Sequence, residues 1–411
     1  MKRLNILISA YACNPYKGSE PSVGWGFVTR ISKRHNVTVL VASTNKKDIQ
    51  TFYKINKKNK KPKFIFIERK RFTFIEKIWA PSYYWSYKNW QKDAFILSKK
   101  LTKKKKFDIC HQLNMIGFRE PGYLWKLNIP FFWGPIGGLT FYSSKFLFNL
   151  GIYNFFYSLG YNFLNYLDIK FLKRPKLAFQ KANKFIFAAN TATQLQIKRY
   201  FNRRSILLLP VATENQKIHI VVKKKENVFN IFWGGLHIPR KALNIAIDAL
   251  SLLPKKIKWK LHIAGSGKLT NVWKKYAYQK AVGDNCVFYG YVKRKNIYKI
   301  MKKCDVHLFT SIKEDSPAII METTSFGVPT ICFDLYGAKD LVNKNTGIKI
   351  SPSSDHNINA LNFKNAVLRL IKSNKERRSL SKNCLKFAKK NIWDERFIKL
   401  DKYYQKINPK Y

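Results

Sequence analysis

The feature that most restricts the fold is an alternation of short apolar runs with helical stretches, written twice along the chain. Residues 4–9, 37–42, 64–67, 109–112 and 130–133 are β-type runs, with helical stretches between several of them, including the region of Trp90 to Leu101. Residues 184–188, 191–200 and 205–209 then read as strand, helix, strand. A second block opens at 228–233 and continues with β-type runs at 260–264, 287–289, 306–310 and 347–350. Strands that alternate with helices pair in parallel, so each block predicts a doubly wound α/β sheet. A chain of 411 residues exceeds what one core usually supports, and two domains are expected, 1–212 and 213–390. The segment 212–227 lacks helical periodicity, carries Lys223-Lys224-Lys225, and is expected to join them. In such sheets ligands bind beyond the carboxyl ends of the strands, so chemistry is sought in the loops there.

One of these loops stands out. After the run 306–310 comes Ser316-Pro317, an N-cap followed by the residue best tolerated at the first helical position. A helix starting there turns the amides of Ala318, Ile319 and Ile320 toward the loop, on the positive end of a helix dipole, where a phosphate can sit. Glu322 lies roughly 7 Å further along the axis. A carboxylate at that depth faces the neighbour of the phosphate, which in a nucleotide sugar is a ribose with two vicinal hydroxyls. Glu314 approaches from the other side. Spacing alone favours a surface loop and a satisfied helix glutamate; the order of the surrounding elements reverses that balance.

That order is strand, Glu314-x7-Glu322 across Ser316-Pro317, then Phe326-Gly327-Val328-Pro329 and another apolar strand. It resembles the donor site of the retaining family-4 glycosyltransferases, whose GT-B fold is two Rossmann-like doubly wound domains facing across a cleft. The likeness extends over most of the chain. It implies a C-terminal helix, 391–411, that crosses back to the first domain. Cys13 to Pro21 is similar to the family's N-terminal glycine loop, which implies Gly18 near the donor phosphates and Glu20 toward the acceptor. Asp108-Ile109-Cys110-His111 matches a strand end whose histidine lies beside the donor sugar, and Arg119 follows as an acceptor-side residue. Trp133-Gly134-Pro135-Ile136-Gly137-Gly138 is a further rim loop. Gly234-Gly235 and the segment to Leu243 resemble the second domain's phosphate loop, with Lys241 in the lysine's place. The family's arginine is absent, since Gly235 or Leu236 stands there, and Arg240 is the candidate substitute. Gly265 and Gly267 resemble the loop beside the nucleoside, and Gly290-Tyr291-Val292 the loop that reads the base through its backbone.

The resemblance thus implies His111, Glu314 and Lys241 as catalytic, and Gly18, Arg240, Gly265, Gly267, Val292, Ser316, Ala318, Ile319 and Glu322 as donor-binding. The implied reaction moves a sugar from a nucleoside-diphosphate sugar to an acceptor hydroxyl with retention of configuration, in bacterial surface polysaccharide or glycolipid biosynthesis. It needs no cofactor and no metal, because helix dipole and cations can stabilise the leaving diphosphate.

Charge supplies the rival reading. With 78 Lys+Arg against 23 Asp+Glu, formally +55, such a surface attracts nucleic acid, anionic lipid or anionic substrates. No zinc-finger, helix-turn-helix or RRM pattern accompanies the charge, and no specific nucleic acid is expected. A GT-B hydrolase or epimerase is a second alternative, but an epimerase needs several acid-base carboxylates, and only 23 acidic residues are available. The six cysteines form no CxxC pair, which suits a reduced compartment, and the N-terminal run is too short for a secretory signal. A cytoplasmic location is expected, with peripheral contact at the inner face of the membrane. Residues 146–167 carry no charge and contain Asn149, Asn154, Asn162 and Asn165. They suit an interfacial membrane contact, a buried packing or acceptor segment, or a true span. The acceptor is a carbohydrate or a lipid-linked one.

Overall fold

The computed structural model describes residues 2–70, 82–147, 152–214 and 227–407. The chain opens with β1 (Asn5–Ala10), α1 (Glu20–Arg34), β2 (Asn36–Ala42), α2 (Lys46–Ile55), β3 (Lys63–Ile67), α3 (Tyr83–Lys104), β4 (Ile109–Asn114) and β5 (Phe131–Ile136). There follow α4 (Ser144–Leu147), α5 (Ile152–Phe171), α6 (Lys173–Ala182), β6 (Ile186–Ala188), α7 (Thr191–Phe201) and β7 (Ile206–Leu207). These seven strands form one sheet, in the order β3-β2-β1-β4-β5-β6-β7, and every pairing is parallel.

The second block contributes β8 (Phe229–Gly234), α8 (Leu243–Ser251), β9 (Trp259–Ala264), α9 (Thr270–Gln279), β10 (Cys286–Phe288), α10 (Arg294–Lys303) and β11 (Val306–Phe309). It continues with α11 (Ala318–Ser325), β12 (Thr330–Phe333), α12 (Tyr336–Leu341) and β13 (Gly347–Ile350), and ends in α13 (His356–Lys372), α14 (Asn374–Lys390) and α15 (Trp393–Tyr404). Its six strands are again all parallel, in the order β10-β9-β8-β11-β12-β13. Both sheets are of the Rossmann-like doubly wound kind, as the alternation of apolar runs predicts.

Two compact units result: Met1–Thr140 with Leu167–Pro210 and Trp393–Tyr411, and Phe141–Tyr166 with Val211–Ile392. The first differs from the expected 1–212 because Tyr142 and Phe146 belong to the core that also holds Trp233, Phe333 and Phe363. Of the expected joining segment 212–227, residues 215–226 lie outside the described residues.

The last helix completes the first unit. The Trp393 indole fills the space a Cβ at Gly26 would need, and its ring meets Phe27 edge-on. Asp401 accepts from Arg34 at 3.0 Å and pairs with His35 at 2.7 Å.

Each sheet reverses its winding direction once, between β1 and β4 in the first unit and between β8 and β11 in the second. The crevice outside the carboxyl ends of two such strands is where ligands sit in open α/β sheets. The loops after β1, β4, β8 and β11 are therefore the places to examine.

Candidate functional site

In the second unit the loops after β8 and β11 are tied together by their backbones. The Ile312 N–H donates to the Arg240 carbonyl at 2.9 Å, and the Thr310 hydroxyl donates to the Lys241 carbonyl at 3.0 Å. Thr310 is itself held by the Trp233 indole N–H at 3.0 Å. Arg240 and Lys241 sit in a single 3-10 turn, Pro239–Lys241, where the sequence had suggested the start of a helix. Ala242 then takes a left-handed conformation, φ 47°, before α8 begins. An alanine there costs about 1 kcal/mol, the kind of local strain that gathers at functional sites.

Glu314 lies between these loops. Lys241 Nζ is 2.5 Å from its Oε1, and Arg240 Nη1 bonds the same oxygen while also donating to the Lys313 carbonyl at 3.1 Å. Burial opposes ionisation of Glu314, but Lys241 and Arg240 outweigh it and hold the carboxyl below its ordinary range. Burial lowers the Lys241 ammonium, opposed by Glu314. The Gly337 N–H fixes the other side of the loop by donating to the Glu314 carbonyl at 3.1 Å. Two cations thus converge on one carboxylate oxygen at the switch point of the sheet.

The helix start differs in detail from expectation. Pro317, not Ser316, is the N-cap of α11, and no side chain caps it. Ser316 belongs to the loop. The Ile320 N–H is taken by the Pro317 carbonyl at 3.1 Å, which leaves the amides of Ala318 and Ile319 ahead of the helical ladder. Glu322 is partnered by a residue that the sequence had not singled out: Arg294 of α10 donates from Nε at 3.1 Å and Nη2 at 2.6 Å, both to Oε1. Nothing in the spacing of these residues announces that pair.

The glycine loops have reasons of their own. Gly265 adopts φ 133°, and a Cβ there would run into the Gly235 carbonyl, so the loop after β9 can lie against the phosphate-loop candidate only without a side chain. A Cβ at Gly267 would stand 2.7 Å from the His237 carbonyl oxygen. Val292 packs, partly buried, against a small cluster around Phe232 and Phe326.

In the first unit the loop after β1 meets the end of β4 through Asn114. Its side chain accepts from the Ala12 N–H at 3.3 Å and donates to the Ala12 carbonyl at 2.6 Å and to the Glu20 carbonyl at 3.2 Å. Glu20 opens α1, and its Oε1 accepts from the Ile116 N–H at 3.1 Å. Its Oε2 is buried with no hydrogen-bond partner. Burial pushes this carboxyl up to about 7, against the lowering effect of the Ile116 bond. Gly18 lies in an exposed loop where an added Cβ would meet nothing.

One residue on this side corrects the sequence reading. His111 is not at a strand end: β4 runs on to Asn114, and the ring is wholly buried in the middle of the sheet. Its Nε2 is 2.7 Å from the Gly134 carbonyl and its Nδ1 2.6 Å from the Tyr404 hydroxyl, and burial lowers it to about 4. A neutral ring that donates from Nε2 and accepts at Nδ1 has no nitrogen left for a sugar. Arg119 is likewise engaged, paired with Asp168 and stacked over the Phe118 ring.

Residues 214–387 match the family described as Glycosyl transferases group 1. This stretch, somewhat less than half of the chain, is similar to the group 1 glycosyltransferases. It covers the second unit's sheet with Arg240, Lys241, Glu314 and Glu322. An uncharacterized glycosyltransferase of Methanocaldococcus jannaschii, MJ1607, is 26% identical over 129 residues, 31% of this chain and 33% of that protein. Another from the same organism, MJ1069, is 22% identical over 77% of this chain and 90% of its own. Among solved structures, sucrose-phosphate synthase of Thermosynechococcus elongatus superposes with a TM-score of 0.68 over 98% of both chains at 13% identity. HepE of Anabaena, in complex with UDP-glucose, gives 0.63 over 98% of this chain and 100% of its own, also at 13%. The likeness to these structures gives the fold as GT-B.

Proposed function

We propose that this protein is a retaining, metal-independent glycosyltransferase that moves a sugar from a nucleoside-diphosphate sugar to the hydroxyl of a carbohydrate or lipid-linked acceptor, in surface polysaccharide or glycolipid synthesis. The observation that carries the reading is the convergence of Arg240 and Lys241 on Glu314 at the switch point of the second unit's sheet. Two cations held by one carboxylate are a site for a second anion, and a diphosphate has the charge and reach to engage both. Lys241 and Arg240 take the phosphates together with the amides of Ala318 and Ile319. Glu314 then turns to the sugar, Glu322 accepts from the ribose hydroxyls, and the backbone at Val292 meets the base. Arg240 supplies the charge that an arginine at 235 or 236 would have given.

In the transfer, the bond between the anomeric carbon and the β-phosphate oxygen breaks while the acceptor oxygen bonds that carbon from the same face. The acceptor proton passes to the leaving phosphate oxygen. The developing negative charge is stabilised by the cations already in place, which is where most of the acceleration arises. Glu20, with its unpartnered Oε2, holds the acceptor hydroxyl. The bound UDP-glucose of HepE supports a uridine nucleotide as the first donor to try.

A panel of nucleotide sugars, scored for thermal stabilisation and diphosphate release, tests the reading, with the anomeric configuration of the product followed by NMR. One nucleotide sugar is expected to stabilise the protein and give a product of retained configuration. An inverted product would remove the front-side mechanism, and a panel in which none binds would remove the donor site.

A further inference from the structure

Helix α5 is turned inside out relative to an ordinary surface helix. Ser158 and Asn165 are 1% and 0% exposed, and Asn162 uses both ends of its amide on the Tyr142 backbone, at 2.7 and 2.9 Å. The outward positions carry the apolar side chains: Ile152 is 79% exposed, Phe156 62%, Phe163 60% and Leu164 60%. At about 100° per residue, Ile152, Phe156 and Phe163 fall within an arc of about 40°, and Leu164 and Phe171 widen it on one side. A helix on a globular protein buries such a stripe, because leaving one large apolar side chain in water forgoes about 1.5–3 kcal/mol. Here the buried stripe is mostly polar, with Ile169 the apolar exception, and the apolar stripe is left outside, so the exposed face is built for a partner.

The charges say which partner. Lys170 continues the apolar arc at the end of the helix, and Lys173 and Lys176 follow, all exposed. With a net charge of +55, a second copy of this chain is repelled and an anionic surface is attracted. Aromatic and aliphatic side chains beside lysines are the composition of a helix lying in the headgroup region of a bilayer. Among the described residues no helix is long and apolar enough to cross a membrane.

We propose that the outward face of α5 docks onto an anionic lipid bilayer, with Phe156, Phe163 and Leu164 in the boundary between headgroups and acyl chains and Lys170 of the same helix on lipid phosphate. This deepens the reading of a lipid-linked acceptor, and its test does not require turnover. The full chain is floated with vesicles of phosphatidylcholine alone or mixed with phosphatidylglycerol, at low and high salt. The comparison is with the charge-neutral variant Phe156→Ser, Phe163→Ser, Leu164→Ser. The parent is expected to bind the mixed vesicles and to keep part of that binding at high salt. The variant is expected to bind about a hundredfold more weakly and to lose the salt-resistant part. A variant that melts like the parent, is stabilised by UDP like the parent, and still binds vesicles as tightly overturns the proposal. So does a parent whose self-association is abolished by the substitutions while its vesicle binding is unchanged. If the triple variant does not fold, Phe163→Ser alone is expected to weaken binding about tenfold, and parental binding by that single variant overturns the proposal equally. A parent that floats but is not stabilised by any nucleotide sugar would sink the enzyme reading and leave the docking face standing.

Discussion

Lys241 Nζ and Glu314 Oε1 stand 2.5 Å apart, and Arg240 addresses the same oxygen. In the proposed site the carboxylate therefore occupies, without donor, the cations that a diphosphate would use. Glu314→Gln should release them. Free UDP is then expected to bind as tightly as to the parent or about threefold to tenfold tighter, while turnover falls because the sugar loses its partner. Without ligand the variant leaves a largely buried ammonium less compensated, which should cost about 2–3 kcal/mol, or roughly 5–10 °C of melting temperature. UDP should recover more of that loss than it adds to the parent. Calorimetric titration and melting curves check both halves.

Loss of Lys241 should be felt in the transition state. Lys241→Ala is expected to lower kcat about a hundredfold or more, as removal of one oxyanion donor does. Arg240→Ala is expected to cost less, because that guanidinium is more exposed and shares its bonds with the Lys313 carbonyl. Activity in excess chelator should match activity without it. Turnover that collapses with chelator and returns with magnesium would mean that a metal carries the charge instead.

Glu20 makes a prediction about pH. Its carboxyl is raised from 4.5 to about 7 in the fold, so between those values the folded protein holds a proton that the unfolded chain has released. That contribution to stability is present at low pH and is lost as pH rises through about 7. Glu20→Gln stays neutral and removes the dependence. Relative to the parent it should gain on the order of 2 kcal/mol on going from pH 5 to pH 8, measured by denaturant melts at both. A difference between the two proteins that does not change with pH would show that Glu20 is ionised in the fold.

The alternation of strands and helices was legible because each apolar run is short, β-rich and followed by turn residues, and the start of α11 was placed to within one residue. The two candidate carboxylates could be named from the sequence because Glu314 and Glu322 flank that start within one loop and one turn. Other parts depend on residues distant in sequence. Asn114 clamps Ala12 across 102 positions, and Arg294 reaches Glu322 across 28. His111 misled because a histidine three residues before the end of a strand reads like one at its end; only the extension of β4 to Asn114 shows it to be core. An uncharged run cannot say which side of α5 is buried, and the apolar side proved to be the outer one.

The most direct test is the affinity of nucleoside-diphosphate sugar for Glu322→Ala, titrated calorimetrically beside the parent, with Arg294→Ala as the control for the ion pair. Loss of a charged acceptor from the ribose is predicted to weaken donor binding by about 1.5–3 kcal/mol, roughly tenfold to a hundredfold, with a smaller effect at Arg294. A folded Glu322→Ala protein that binds the donor as tightly as the parent would contradict the assignment of the nucleotide site to this loop and helix.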